Sequence, residues 1–192
     1  MTRERDVDVA CSLGVDAVGF VLWPSSPRAI AAPDAARLIA RLPASVTPVG
    51  VFVRPTRDEI VDAIDSIGIR VAQVHDVKDF SPLARLPCDL WVAASLNGSL
   101  DLVPSGLTVL LDAHDPKRHG GTGQMINWED AGRIAATRRV MLAGGLTPGN
   151  VAQAISHTRP YGVDVASGIE DRPGVKIAQL MKDFVDAVRN AP

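Results

Sequence analysis

Apolar residues recur along the chain in two alternating patterns: short continuous runs, and longer stretches where they return every three or four positions. The first pattern marks strands buried on both faces and the second marks amphipathic helices. Residues 4–13 read as a helix stopped by Gly14 in a left-handed cap, and residues 16–22 as the first strand. Pro33 suits the first turn of a helix running to about Arg41, before a strand at 49–53. Thr56 and Glu59 make a capping box for a helix ending at Gly68. A strand at 71–74 then ends at His75. A weaker helix around 81–86 leads to a strand at 90–94, and an irregular crossover leads to Thr108-Val109-Leu110-Leu111-Asp112.

The second half keeps this rhythm. Residues 127–137 are helical, and a strand at 139–142 opens into Ala143-Gly144-Gly145-Leu146. Thr147-Pro148 begins a helix through about His157, with Pro148 in its first turn. A strand at 162–165 is followed by Ala166-Ser167-Gly168-Ile169-Glu170. A closing helix at 175–190 carries Ile177, Leu180, Met181, Phe184 and Val188 on one face. The reading counts seven strands and eight helices, beginning with a helix. Such alternation argues for an α/β fold with a parallel sheet and helical crossovers.

Composition narrows the function classes. At 192 residues and 46% hydrophobic, with no linker or second composition regime, the chain reads as a single domain, 1–192. Only 4% of residues are aromatic, so the core is built from Ala, Val, Leu and Ile, as in parallel α/β sheets. Net charge is −2 with signs interspersed, which gives no footprint for nucleic acid. No apolar run approaches membrane-spanning length and the N-terminus lacks a signal-peptide pattern. Cys11 and Cys88 form no metal or redox motif and suit a reducing compartment, so a cytoplasmic location is expected.

Candidate chemistry sits where strands end. Asp112 appears where the central strand leaves the core, ahead of the glycine-rich stretch Gly120-Gly121-Thr122-Gly123. A strand-end Asp can equally cap the next turn. Gly144-Gly145 and Ser167-Gly168 follow the last two strands and look like paired anion sites whose backbone N–H groups would hold a phosphate. In (β/α)8 barrels a phosphate commonly binds after strands seven and eight. A barrel usually takes at least ~200 residues. The chain therefore reads as a TIM barrel with its first β-strand missing. In that reading the strands at 17–22 and 162–165 flank a gap in the wall.

Taken together, the strand-end motifs resemble the phosphoribosylanthranilate isomerase family of tryptophan biosynthesis. The matching stretches are Asp16-Ala17-Val18-Gly19-Phe20-Val21 with Ser26-Pro27-Arg28, Gly50-Val51-Phe52-Val53, and Gln73-Val74-His75. They continue with Leu110-Leu111-Asp112, Gly120-Gly121-Thr122-Gly123, Leu142-Ala143-Gly144-Gly145-Leu146 with Asn150, and Val163 to Glu170 with Pro173-Gly174. They run in family order along essentially the whole chain.

The resemblance implies an Amadori rearrangement of a small phosphosugar, without metal or other cofactor, by a monomer or homodimer. It implies Asp112 as general acid, with a pKa raised by burial or by substrate charge. It implies Arg28 pairing with the substrate carboxylate or stabilising charge nearby, a task suited to its planar fork, and phosphate at Gly144, Gly145, Ser167 and Gly168. His75 would touch substrate or serve as a hydrogen-bonded structural histidine, and Asp164 would order its loop. The family's general base is a cysteine on a first strand just before a Met-Thr pair. Here Met1-Thr2 stands at that register, so Met1 is expected to be an internal methionine of a longer protein. The 192 residues alone are expected to be nearly inactive. Cys11 and Cys88 read as packing residues.

Two other classes remain. One is another phosphosugar barrel enzyme, such as indole-glycerol-phosphate synthase or a pentose-phosphate epimerase. Lysine chemistry is disfavoured because Lys78, Lys117, Lys176 and Lys182 fall in loops or the last helix. A metal-dependent epimerase is disfavoured because His75 alone among the histidines ends a strand. The other is a non-catalytic, phosphosugar-binding barrel remnant.

Overall fold

The computed structural model describes residues 1–95, 100–112 and 128–192, with the backbone alone of Asp112. Seven parallel strands form one sheet in sequential order: β1 (Ala17–Val21), β2 (Thr47–Val53), β3 (Val71–His75), β4 (Asp89–Ala94), β5 (Thr108–Asp112), β6 (Val140–Ala143) and β7 (Gly162–Val163). Each strand pairs with the next in the chain, as short right-handed crossovers require. The helices are α1 (Glu4–Ser12), α2 (Ala32–Ile39), α3 (Arg57–Ile67), α4 (Trp128–Ala135), α5 (Val151–Thr158) and α6 (Ala178–Arg189).

Strand alternation divides the sheet into two faces. Val109 and Leu111 of β5 and Val140 and Leu142 of β6 are sealed against the helices in the main core. Leu110, Met141 and Ala143 form a second buried cluster with Trp91 and Ala93 on the other face. Near-continuous apolar strands are thus explained by burial on both sides. Around the helical layer α2 packs on α3, α4 on α5, α5 on α6, and α6 on α1. Arg189 of α6 clamps the end of α1, its Nη2 donating to the Leu13 carbonyl at 2.6 Å.

Local signals explain several boundaries. The Thr56 hydroxyl accepts from Glu59 N while the Glu59 carboxylate accepts from Thr56 N, completing the capping box of α3. Gly68 then ends α3 at φ 77°, a conformation costly for any residue with a Cβ. Gly14 does the same after α1 at φ 66°.

Other expectations are corrected. Among the described residues there are six α-helices rather than eight, with three 3₁₀ turns at Ser81–Leu83, Leu100–Leu102 and Ser167–Ile169. The expected helix at 81–86 shrinks to the first of these turns. Asn150 delays α5 to Val151 instead of Thr147, because its side chain accepts from Thr147 N and donates to the Gly145 carbonyl, holding the loop outside the helix. Val175 and Lys176, expected to open the last helix, instead form β9 (Val175–Lys176), antiparallel to β8 (Glu170–Arg172).

Among the described residues β1 pairs only with β2 and β7 only with β6. The outer edge of β1 is partly satisfied by neighbouring chain: the Met1 amine donates to the Gly19 carbonyl, and Ile30 N donates to the Val21 carbonyl at 3.0 Å. Residues Met1–Arg3 run between that edge and the β8–β9 hairpin. There the Thr2 hydroxyl donates to the Gly174 carbonyl, and Arg3 Nη2 donates to the Lys176 carbonyl at 2.8 Å.

Candidate active site

Parallel strands in sequential order bring every strand-end residue to one rim of the sheet. Arg28 lies in the loop after β1, His75 ends β3, and Asp112 ends β5 in register with Ala143 of β6. Gly144 and Gly145 follow β6, and Ser167 and Gly168 follow β7. In open and closed α/β sheets alike, this carboxyl-end rim is where ligands bind. The stretch Gly120-Gly121-Thr122-Gly123 lies outside the described residues, as does the side chain of Asp112.

The two glycine loops are in direct contact. A Cβ placed on Gly168 would lie 1.9 Å from the Leu146 carbonyl oxygen, so this position tolerates only glycine. Gly144 and Gly145 adopt φ 81° and 66°, and a Cβ on Gly145 would meet nothing within 4 Å. Gly145 and Ser167 are exposed, so the mouth between the loops is open to solvent. Asn150 fixes the first loop from below through its bonds to Thr147 and Gly145. Leu146 is buried beneath it.

Arg28 is held by a residue that sequence reasoning assigned no role. Its Nε donates to both oxygens of the Glu170 carboxylate, at 3.1 and 2.9 Å, and its Nη2 donates to Oε2 at 2.7 Å. The Glu170 side chain is only 4% exposed. Lys176 Nζ donates to Glu170 Oε1 at 2.9 Å and to the Ala166 carbonyl at 2.9 Å, and Gly174 N donates to Oε1 at 3.1 Å. Burial pushes the Glu170 carboxyl up, but bonds from Arg28, Lys176 and Gly174 outweigh it and hold the group below its ordinary value. Lys176 is therefore neither a loop nor a helix residue: it sits in β9 with its side chain 7% exposed. The signal available in the sequence was the run from Glu170 to Lys176, with Pro173-Gly174 to turn a hairpin between two opposite charges.

His75 lies beside Gln73, their Nε2 atoms 3.0 Å apart, an arrangement in which the amide donates and the ring nitrogen accepts. Gln73 is buried. Asp164 continues the chain after β7, with its N–H bonded to the Leu142 carbonyl at 2.8 Å. Cys11 and Cys88 pack against the main core, and burial pushes both thiols up. Neither is set up as a thiolate.

The sequence profile of N-(5'-phosphoribosyl)anthranilate (PRA) isomerases matches residues 1–187. The chain belongs to this family. It is 41% identical over 197 aligned residues to the N-(5'-phosphoribosyl)anthranilate isomerase of Chromohalobacter salexigens, covering 98% of this chain and 90% of that protein. Among solved structures, the phosphoribosyl anthranilate isomerase of Thermotoga maritima superimposes with a TM-score of 0.86 at 30% identity, covering 98% of this chain and 95% of that one. The Thermus thermophilus enzyme does so with a TM-score of 0.85 at 32% identity, covering 100% and 96%. A phosphoribosyl anthranilate isomerase solved with reduced 1-(o-carboxyphenylamino)-1-deoxyribulose 5-phosphate matches with a TM-score of 0.86 at 29% identity, covering 98% and 95%.

Proposed function

We propose that this chain is an isomerase that converts N-(5'-phosphoribosyl)anthranilate to 1-(2-carboxyphenylamino)-1-deoxyribulose 5-phosphate, a step of tryptophan biosynthesis. The observation that carries the reading is the gathering of Arg28, Asp112 and both glycine loops on the carboxyl-end rim of one sheet. The family match over residues 1–187 supplies the reaction. The fold is read as a single (β/α)8-type barrel domain in which one strand position lies between β7 and β1. The protein works in the cytoplasm as a monomer or homodimer. The Thermotoga maritima relative is described as dimeric, with monomers generated from it.

The ribosyl ring opens when a general acid protonates the ring oxygen, and a base then takes the proton from the adjacent carbon. Asp112 is the acid. Arg28 receives the aromatic carboxylate, and the phosphate lies against backbone N–H groups of Gly144, Gly145, Ser167 and Gly168, which need no lysine to hold a dianion. Small residues allow the backbone to approach the phosphate closely. The base is not supplied by Cys11 or Cys88, whose thiols pack into the main core.

Turnover of phosphoribosylanthranilate, measured beside calorimetric binding of the reduced product, tests the reading. Binding of the reduced product that inorganic phosphate competes away is the expected result. A chain that binds neither the reduced product nor phosphate would overturn it, and one that binds phosphate alone would favour the remnant.

A further inference from the structure

Arg28 and Glu170 stand 142 residues apart in sequence and face each other across the two edge strands of the sheet. A guanidinium offers two edges for bidentate bonding, one through Nε and Nη2 and one through the two Nη atoms. Glu170 takes the first edge. That choice fixes the plane and direction of the group and turns the second edge away from Glu170. The carboxylate is itself fixed from three sides by Arg28, Lys176 and Gly174 N, so it cannot swing with the arginine.

Arg28 and Lys176 both bond to one nearly buried carboxylate. Arg28, with its side chain 29% exposed, is the member that reaches solvent, so its free edge is the one an incoming carboxylate can meet.

We propose that Glu170 is a positioning residue for substrate: it presents the free edge of Arg28 to the aromatic carboxylate and so sets selectivity for the anthranilate half of the ligand. The inference rests on the reading of Arg28 under Proposed function. Lys176 supports it from behind, by holding Glu170.

The test compares two ligands on the same protein: the reduced product, which carries carboxylate and phosphate, and ribose 5-phosphate, which lacks the carboxylate. Glu170→Gln replaces one acceptor with a donor facing the arginine. It should weaken the reduced product about 10-fold or more, the scale of one charge-assisted hydrogen bond. Affinity for ribose 5-phosphate should stay within about twofold. Glu170→Asp keeps the charge, protects folding and should show a smaller loss of the same selective kind. Arg28→Lys should also weaken only the reduced product. The double variant Glu170→Gln with Arg28→Lys should lose no more than Arg28→Lys alone, because Glu170 acts through Arg28. Equal losses for both ligands in both Glu170 variants, or additive losses in the double variant, would overturn the proposal while leaving the isomerase reading intact. Failure of the parent chain to bind the reduced product would remove both.

Discussion

The α-carbon of Gly168 and the carbonyl of Leu146 approach so closely that no side chain fits between them: an added Cβ would sit 1.9 Å from the oxygen. This contact fastens the loop after β7 to the loop after β6, the two segments proposed to share the phosphate. Gly168→Ala must therefore push the loops apart. It should raise KM by at least about 10-fold and lower stability by about 1–3 kcal/mol, the range for overpacking. Gly145→Ala meets open space, so its cost is that of a left-handed alanine, about 1–2 kcal/mol. Steady-state kinetics and urea unfolding of the two variants separate the effects. Equal behaviour of the pair would show that the close approach is not what shapes the site.

The capping box at the start of α3 predicts a loss confined to stability. Thr56→Ala removes the hydroxyl that accepts from Glu59 N, and should cost about 1 kcal/mol. Thr56→Ser should recover most of it. Kinetic constants should not move, because α3 lies on the helical side of the sheet. A Thr56→Ala melting curve superimposable on the parent's would show the cap to be energetically idle.

In a chain that begins at Met1, the terminal amine is buried against β1, and this predicts a pH dependence for that form of the protein. Burial, then the Lys176 charge, lower its pKa from an ordinary 8.0 to about 5, against the opposing pull of Asp6, Glu170 and Asp164. In the unfolded chain the amine is protonated below about pH 8. In the folded chain it is largely neutral down to about 5. Between these values the unfolded state binds more protons, so folding stability rises with pH, by at most about 1.4 kcal/mol per unit. Above pH 8 and below pH 5 this contribution is flat. Urea midpoints of the 192-residue chain from pH 5 to 8 should climb more steeply than those of its Nα-acetylated form. Parallel slopes would mean that the amine is solvated.

Part of this architecture was legible because it depends on neighbours in sequence. Val109 and Leu111 alternate with Leu110, and burial of both sets explains an apolar run that periodicity reads as a two-sided strand. Thr56, Glu59, Gly14 and Gly68 act within a few residues of themselves, and the structure has them where local rules put them. What was missed depends on distant partners. Nothing near Glu170 reveals that Arg28 will lie against it, and only the Pro173-Gly174 turn signals its pairing with Lys176. β9 was absorbed into the last helix because Val175 and Ile177 fit a helical stripe as well as a strand. Asn150 falls within the helix expected from Thr147, yet its side chain satisfies the preceding loop and so sets where α5 begins.

The helix-facing core predicts a large, purely structural penalty at β5. Leu111 is fully buried among Val109, Val140 and Leu142. Leu111→Ala would leave a cavity between sheet and helices and should cost about 2–5 kcal/mol. Leu111→Met, nearly volume-conserving, should cost less than about 1.5 kcal/mol. Urea unfolding of both variants checks this. An alanine variant as stable as the methionine variant would mean that β5 is not packed as described.

Asp112 is one residue further along β5, in register with Ala143, and carries the proposed acid role. The ring oxygen of the substrate must gain a proton as the ring opens, and an amide of the same shape has none to give. Assayed in a protein that supplies the base, Asp112→Asn should therefore lower kcat by at least about 100-fold. KM and the affinity for the reduced product should change little, because the acid acts on the transition state rather than on the bound ground state. The descending limb of the kcat–pH profile should vanish in the variant, since the group that must stay protonated is gone. Asp112→Glu keeps the proton but misplaces it by one methylene, and should recover only part of the rate. An Asn variant that turns over as fast as the parent would exclude Asp112 from the proton transfer. An Asn variant that loses affinity for the reduced product as much as rate would make Asp112 a binding group instead.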